Sequence, residues 1–454
     1  MSAGSATGAD PGLRTEPFDG LDRRTPAGLE RYWRRRLREV LAIAYREMPF
    51  YRRRFDAAGF HPSELRTVGD LARVPLFDKA AVLAEQRRLG RYDVGLERAS
   101  SDPGLVLSSS SGTKGTTFLA HPPRWRRVQG RSALRAHWWA GLRPGTRFLL
   151  SAPAWHSYAA VQTWIAERLE LPCVVVAGTY LPRFAGRIVD AMLAFRPRFV
   201  TIFLPMVFSL VSEARRRGLV PREVFASVET VTVAGAPITP GMRDALRRET
   251  GVQRFVEIAG STESLLAVEC RAERGLHVVP DTCYVEVLDP RSGLPAESGA
   301  RGRVAHTCFV AWGSTYLRYD GGDAGVRDDS PCPCGLPSPR IKLLGRAEDA
   351  FALGARELLP YDVQLAVEES EPSLAGAPCL VLHEGLAEGR LELVMPRPET
   401  GYAPGLEDAL ARALRARFDA PAEVRFVDSL PLLFKGVPPV LSARDLHTAG
   451  GGHR

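Results

Sequence analysis

Several short stretches of this chain group residue types that can hold phosphates, a divalent cation or a sugar. The first is Ser108-Ser109-Ser110-Ser111-Gly112-Thr113-Lys114-Gly115-Thr116-Thr117, after the apolar run Leu105–Leu107. Hydroxyls and unhindered glycine N–H groups can wrap phosphate oxygens, and Lys114 adds a positive charge. The G-x-x-x-x-G-K-[ST] spacing is absent, so this is not a Walker loop. The alternative is a flexible linker. The second stretch is Gly260-Ser261-Thr262-Glu263, after an apolar run ending at Ile258. A carboxylate beside a hydroxyl at the end of a buried strand can hold Mg²⁺ with phosphates. The alternative is a helix start capped by Ser261 or Thr262. The third is Tyr319-Asp320-Gly321-Gly322-Asp323. An acid in a Gly-rich turn can accept hydrogen bonds from ribose hydroxyls; the alternative is a plain turn.

A metal set lies apart from these. Cys332-Pro333-Cys334-Gly335 places two thiols in a Pro/Gly-rich turn. Upstream, Cys270 and His277 flank Arg271–Leu276, which reads as a loop. Three thiolates and one imidazole suit a closed, tetrahedral, structural Zn²⁺ site. Cys173, Cys283, Cys308 and Cys379 sit in apolar stretches and read as small buried hydrophobes.

The elements that must carry these residues follow from periodicity. Residues 28–60 read as helix. Apolar runs at Leu105–Leu107, Arg147–Ser151, Cys173–Ala177, Phe199–Leu204, Thr230–Ala234 and Arg254–Ile258 alternate with helical patterns at Arg183–Arg196 and Pro240–Thr250. That alternation predicts a parallel sheet covered by helices, an α/β fold. From about 284 the strands shorten (Tyr284–Leu288, Gly302–Thr307), which predicts a small β-rich subdomain. Beyond Gly345–Pro360, strands at Ala377–His383, Arg390–Val394 and Glu423–Val427 and a helix at Leu406–Phe418 predict a small α+β unit. The expected organisation is a disordered start (1–27), a large domain (28–345), a mobile C-terminal domain (346–445) and a disordered tail (446–454).

The chain has 454 residues and a formal charge of +8, from 60 basic and 52 acidic residues. The basic surplus is almost all Arg and is spread along the chain, which argues against nucleic acid. Trp33–Arg38 reads as a solvated helix face. No apolar run spans a bilayer and no secretory signal opens the chain, so a cytoplasmic protein without disulfides is expected.

The motifs, taken in order, resemble the adenylate-forming ligases, specifically their phenylacetate–CoA ligase branch. Tyr51–Leu76 resembles that branch's N-terminal segment, and Ser110–Thr117 its phosphate loop. Gly235-Ala236-Pro237 resembles its adenine-side loop, and Glu257–Glu263 the motif whose Glu ligates Mg²⁺. Tyr319–Asp323 resembles its ribose motif and Gly345–Asp349 its interdomain hinge. The resemblance runs from about Tyr51 to Val440. It implies a nucleotide site built from Ser110, Ser111, Gly112, Thr113, Gly235, Ala236, Pro237, Glu257, Ile258, Thr262, Asp323 and Arg346. Glu263, Lys114 and Lys435 take catalytic roles, and Trp155, His156, Tyr158 and Gly260 line an acid pocket. Some relatives carry a Cys/His set similar to the one above. The implied substrates are ATP, an aryl or similarly small carboxylic acid, and CoA, with Mg²⁺ and a structural Zn²⁺; a homodimer is possible. An amine acceptor, or a nucleotide-binding homologue without catalysis, is the alternative. Three departures bear on this. Ala259 stands where relatives carry an aromatic, Gly354-Ala355 where they carry Arg-Gly, and Lys435 lies one residue from the register of the family's C-terminal Lys.

Overall fold

The computed structural model describes residues 11–90, 106–109, 117–152, 157–176, 184–311, 313–398, 403–428, 430 and 440–441. The stretch expected as one helix over 28–60 is two: α1 (Pro26–Glu47) and α2 (Pro49–Ala57). Thr25 caps α1 by accepting from the Gly28 N–H, and Pro26 opens it. Leu29, Trp33, Leu37, Leu41 and Ala44 repeat at helical spacing and form its buried face. Pro49 forces Met48 into an extended conformation and breaks the run. Helix α3 (Lys79–Leu89) follows, capped by Asp78 and closed by Gly90 at φ 63°.

The central part alternates as expected. A hairpin, β1 (Val106–Ser109) and β2 (Phe118–His121), leads into α4 (Pro123–Trp139). Then come β3 (Phe148–Ser151), α5 (Ser157–Arg168), β4 (Cys173–Val176), α6 (Ala185–Phe195), β5 (Phe199–Phe203) and α7 (Leu204–Arg216). After them lie α8 (Pro221–Val224), β6 (Thr230–Ala234), α9 (Pro240–Thr250) and β7 (Arg254–Gly260). Strands β4, β3, β5, β6 and β7 lie side by side in that order, all parallel. Strands β3 and β5 are buried along their whole length, as crossover helices on both faces require.

The β-rich part joins the same sheet. Strand β7 pairs antiparallel with β8 (Leu265–Glu269), which pairs with β9 (Leu276–Val278). Beyond them stand β10 (Cys283–Leu288), β11 (Arg301–Cys308), β12 (Tyr319–Asp328) and β13 (Arg340–Arg346). The eleven strands run in the order β10-β11-β12-β13-β9-β8-β7-β6-β5-β3-β4. Tyr319–Asp323, expected as a turn, opens β12. A register shift opposite Val304 and Ala305 releases Gly321 and Gly322 from regular pairing.

The C-terminal unit has its own core. Strands β14 (Phe351–Leu353) and β15 (Arg356–Leu358) form a hairpin, followed by α10 (Pro360–Ser370). Strand β16 (Leu380–Leu382) is shorter than expected, because His383 already opens α11 (His383–Ala387). Then come β17 (Leu391–Pro396), α12 (Leu406–Phe418), β18 (Ala422–Val427) and β19 (Val440–Leu441). Leu391, Leu393, Leu410, Leu414 and Phe418 pack together inside this unit. It docks on the large domain through α10. Glu368 accepts from the Thr239 hydroxyl at 2.6 Å, and Asp362 takes both Arg301 guanidinium nitrogens at 2.5 and 2.8 Å.

Of the stretch expected as disordered (1–27), residues 11–27 are described and tied down. Asp22 is buried against Arg135 of α4, with Nη1 to Oδ1 at 2.5 Å. Arg135 also meets Asp19 at 2.8 Å and Asp281 at 3.1 Å, and Trp139 Nε1 donates to Asp22 at 2.9 Å. Removing one partner of such a buried set strands the others. Arg135→Met should therefore destabilise the fold by about 3–5 kcal/mol, read by urea denaturation. A loss below about 1 kcal/mol would show that the acids find other partners.

Candidate nucleotide and acid site

The expected nucleotide residues come from loops at the C-terminal ends of β6 and β7 and from the β12–β13 pair. After β6, Gly235 takes φ 96°, and a side chain there would meet the Phe203 ring at 2.9 Å. The Gly235-Ala236-Pro237 turn then runs into α9. The Ile238 N–H donates to the Glu257 carboxylate at 3.3 Å, tying this turn to β7. Ile258 points into the core beneath the sheet. No helix starts at Ser261 or Thr262. Ser261–Ser264 forms a tight turn between β7 and β8, closed by the Ser261 N–H on the Ser264 carbonyl at 2.9 Å. Gly260 stands at its entrance, where a Cβ would approach the Ser264 carbonyl to 3.0 Å.

Glu263 emerges from this turn, nearly buried, and no described residue forms an ion pair with its carboxylate. Its charge raises the titration of Tyr316, Tyr319 and Asp323, so all of these lie in one electrostatic neighbourhood. In each, burial is the larger cause. Across β12–β13, Arg346 Nη1 donates to Asp323 at 3.0 Å and to the Gly321 carbonyl at 2.7 Å. Gly322 takes φ 84°, and a Cβ there would sit 2.5 Å from Arg346 Nη2. The Tyr319–Asp323 segment therefore needs its second glycine for room as well as for conformation.

Two contacts bring the other expected regions to this place. The Ser157 hydroxyl, opening α5, donates to the Thr262 carbonyl at 3.3 Å, which sets Tyr158 one residue away on the first turn of α5. The β1–β2 hairpin, which flanks the phosphate loop, is held at its far strand. The Ala120 N–H donates to Ser314 Oγ at 2.9 Å, and the Ser314 N–H to the Ala120 carbonyl at 3.1 Å. Ser108 and His121 close the hairpin with a 2.6 Å hydrogen bond. Ser110, Ser111, Gly112, Thr113, Lys114, Trp155, His156 and Lys435 lie outside the described residues.

Asp320 was not singled out from sequence. It accepts from the Gly322 N–H at 2.8 Å and pairs with Arg303 at 2.6 Å, shaping the loop that presents Asp323. An Asp two residues before a glycine is the signal for such a turn. Lys342 was also missed. It lies 5.1 Å over the Tyr361 ring of α10, between the two domains.

The Cys/His set assembles from three parts of the sheet and its loops. Cys270 follows β8, His277 lies within β9 rather than in a loop, and Cys332 and Cys334 lie between β12 and β13. Their ligand atoms all fall within 4.8 Å of one another. Cys270 and Cys332 sulfurs stand 3.7 Å apart, too far for a disulfide. Ser338, also unremarked in the sequence, takes His277 Nδ1 on its carbonyl at 2.7 Å. That leaves Nε2 facing Cys334 Sγ at 3.2 Å.

Comparison with known proteins places this arrangement. The model of the AMP-binding enzyme family matches residues 126–306. A phenylacetate-coenzyme A ligase of Thermus thermophilus is 29% identical over 378 residues, covering 80% of each chain. One from Aromatoleum evansii is 25% identical over 398 residues, covering 84% of this chain and 85% of its own. The chain is thus similar along most of its length to phenylacetate–CoA ligases, and residues 126–306 match the AMP-binding enzyme family. The fold agrees. The structure of 2-hydroxyisobutyryl-CoA ligase in the postadenylation state, in complex with 2-HIB-AMP, overlays with a TM-score of 0.82 at 21% identity. The overlay covers 97% of this chain and 93% of that one. Among the described residues no helix is long and apolar enough to cross a membrane.

Glu257 gives the site a pH signature. Burial, and then the neighbouring Glu269, push its carboxyl up to about 8. Arg243 and Lys342 oppose the shift, and the Tyr361 hydroxyl feels the Glu257 charge. A folded-state value above the unfolded one means the native state holds a proton that the unfolded state has released. Stability from this group is full below pH 4.5 and is lost as pH rises toward about 8. Glu257→Gln should flatten the fall in thermal midpoint across that window. An unchanged slope would assign the fall to other groups.

Proposed function

We propose that this protein is an AMP-forming ligase that activates a small, aromatic carboxylic acid with ATP and passes the acyl group to CoA. The observation that carries this reading is the convergence of Glu263, the Asp323–Arg346 pair and the opening of α5 at one place. There Asp323 would take the ribose hydroxyls, with Arg346 fixing its carboxylate. The Gly235-Ala236-Pro237 turn would lie along adenine, with the Glu257, Ile258 and Thr262 backbone beside it. Ser110, Ser111, Gly112, Thr113 and Lys114 would cradle the phosphates. A substrate carboxylate oxygen attacks the α-phosphorus, and the bond to the pyrophosphate oxygen breaks. The site's main work is to hold two anions in line and offset their charge. The CoA sulfur, having lost its proton, then attacks the acyl carbon, and AMP leaves.

Glu263 suits a divalent cation: it is a nearly buried carboxylate without a cationic partner among the described residues. Mg²⁺ held there with the ATP phosphates would supply charge neutralisation. Tyr158 and Gly260, with Trp155 and His156, would border the acid. Residues 28–345 would form the adenylation domain and 346–445 a mobile unit, turning at Gly345, whose φ of 112° lies in the left-handed region. Lys435 would serve in that unit.

Pyrophosphate exchange with a panel of aryl acids tests the reading. Glu263→Gln should lower exchange by about 100-fold or more with an unchanged thermal midpoint. Full exchange in the variant would remove Glu263 from the reaction. Mass analysis with CoA or amines added names the acceptor, and an amide product would replace the CoA reading.

The Cys270, His277, Cys332 and Cys334 set fits Zn²⁺. A tetrahedron of about 2.3 Å zinc–sulfur bonds has sulfur–sulfur edges of roughly 3.8 Å, close to the Cys270–Cys332 separation. The Ser338 carbonyl fixes the imidazole with Nε2 toward the thiols. The zinc would be structural, joining the loop after β8 to the loop before β13. Protein purified without added zinc should hold about one equivalent per chain by plasma mass spectrometry. Cys332→Ser should lower both zinc content and thermal midpoint. Metal-free protein of full stability would refute the site.

A further inference from the structure

Gln162, on α5, is fully buried at 0% exposure. Neither its Oε1 nor its Nε2 has a hydrogen-bond partner among the described residues. A buried amide with both ends unmet is costly, and native proteins rarely tolerate one without a ligand or water to meet it. It is not alone. The Ser151 hydroxyl, at the C-terminal end of β3, is also fully buried and unmet. So is Nε2 of buried Gln129 on α4. Helices α4 and α5 touch near these glutamines: a Cβ on Gly130 would lie 2.5 Å from the Trp164 ring. Gln129 and Gln162 thus each stand within one turn of the helix–helix contact. Ser151 ends the strand that leads into α5.

The position of α5 relates Gln162 to the reacting centre. Its first residue, Ser157, is bonded to the Thr262 carbonyl beside Glu263. Gln162 lies five residues on, roughly 7.5 Å along the helix axis. It is four residues from Tyr158, hence on the same face. A ligand with its carboxylate at the α5 N-terminus and its body along that face would bring its far end to Gln162. An all-apolar acid would leave the amide unmet.

The geometry points to Gln162 as a specificity-determining residue that reads a hydrogen-bonding substituent, such as a hydroxyl or amino group, on the far end of the substrate acid. The preferred substrates are then polar-substituted aryl acids rather than unsubstituted ones. This rests on the ligase reading above and names the substrate class within it. The amide can donate and accept at once, so either kind of substituent suits it.

The test compares benzoate and phenylacetate with their hydroxylated and aminated counterparts in pyrophosphate exchange. The wild type should prefer the substituted acids in kcat/KM. Gln162→Leu, with Gln162→Met alongside as the closer match in shape, should reverse that preference by about tenfold or more. KM for ATP should stay unchanged. The inference is overturned if the wild type prefers unsubstituted acids. It is equally overturned if both variants keep the wild-type ratio and merely gain thermal stability, since Gln162 would then be an unmet amide and nothing more. Exchange with no acid at all would sink the ligase reading by itself. Calorimetry of acid binding to the unreacted protein would then decide this inference separately. Tighter binding of substituted acids that both variants abolish supports it; equal binding, or none, overturns it.

Discussion

Strand β7 must satisfy two incompatible pairings, and the rest of the structure is arranged around that. On one edge it continues a parallel sheet, matched to β6 from Arg254 to Glu257. On the other it turns antiparallel to β8 from Ile258 onward, with a register shift at Gly260. A parallel neighbour demands a helical crossover, whereas an antiparallel one allows a tight turn. The change of regime therefore falls at the end of β7, and the turn it permits is Ser261–Ser264. Glu263 is set there by the sheet itself, at the reversal where α/β sheets open their crevices. The same strand carries Glu257 inward. The Glu269 carboxylate accepts from the Glu257 N–H at 3.3 Å and is paired with Arg243 at 2.9 Å. The acids beneath the turn are thus partly compensated, with Glu257 itself holding a proton instead of a counterion.

Much of this was legible in the chain, for a definite reason. The parallel strands are short continuous apolar runs, and α9 and α12 keep helical spacing between clear stops. Thr239-Pro240 and Gly251 bracket α9, and the helix runs over the expected Pro240–Thr250. The Gly235-Ala236-Pro237 turn, the Tyr319–Asp323 segment and the Gly345 junction could be found because their glycines answer to local geometry: Gly235, Gly322 and Gly345 all take positive φ. What escaped was set by partners distant in sequence. Nothing local in residues 11–25 shows that Asp22 meets Arg135, more than a hundred residues away. Periodicity cannot show that Tyr319–Asp323 is a strand with a bulge, since pairing with β11 imposes it. Nothing in the sequence alone distinguishes Gln162 from other polar residues. Its interest lies in what surrounds it, which a single sequence does not display.

The Cys/His set and the Arg135 cluster brace the same region from two sides. The Thr15 N–H donates to the Cys334 carbonyl at 3.0 Å, so the segment before α1 touches the cysteine loop. A few residues on, Asp19 and Asp22 hold Arg135 of α4, and Arg135 holds Asp281 between β9 and β10. His277 lies on β9, and Arg340 of β13 pairs with it in the sheet. One connected path thus runs from the N-terminal segment through the thiols and β9 to α4. A scaffold of this kind leaves little freedom between β8, β9 and β13.

The contrast with the C-terminal unit follows from the kinds of contact used. The central braces are buried: Arg135 and Asp22 are almost wholly enclosed, so opening them would strand charge. Much of the contact to the C-terminal unit is of another kind. The Arg301 side chain of the Arg301–Asp362 pair is half exposed, and water can replace its partner at little cost. The Lys342 contact to Tyr361 is likewise a surface cation over a ring. Glu368 is the exception, being buried against Thr239, yet its bond there is a single hydroxyl donation that solvent can substitute once the surfaces part. The large domain is thus tied by enclosed charge, whereas the C-terminal unit meets it through exchangeable surface bonds and the apolar contact of Leu344 with Leu359 and Tyr361, so the movement proposed for that unit would break these contacts without loosening the large domain.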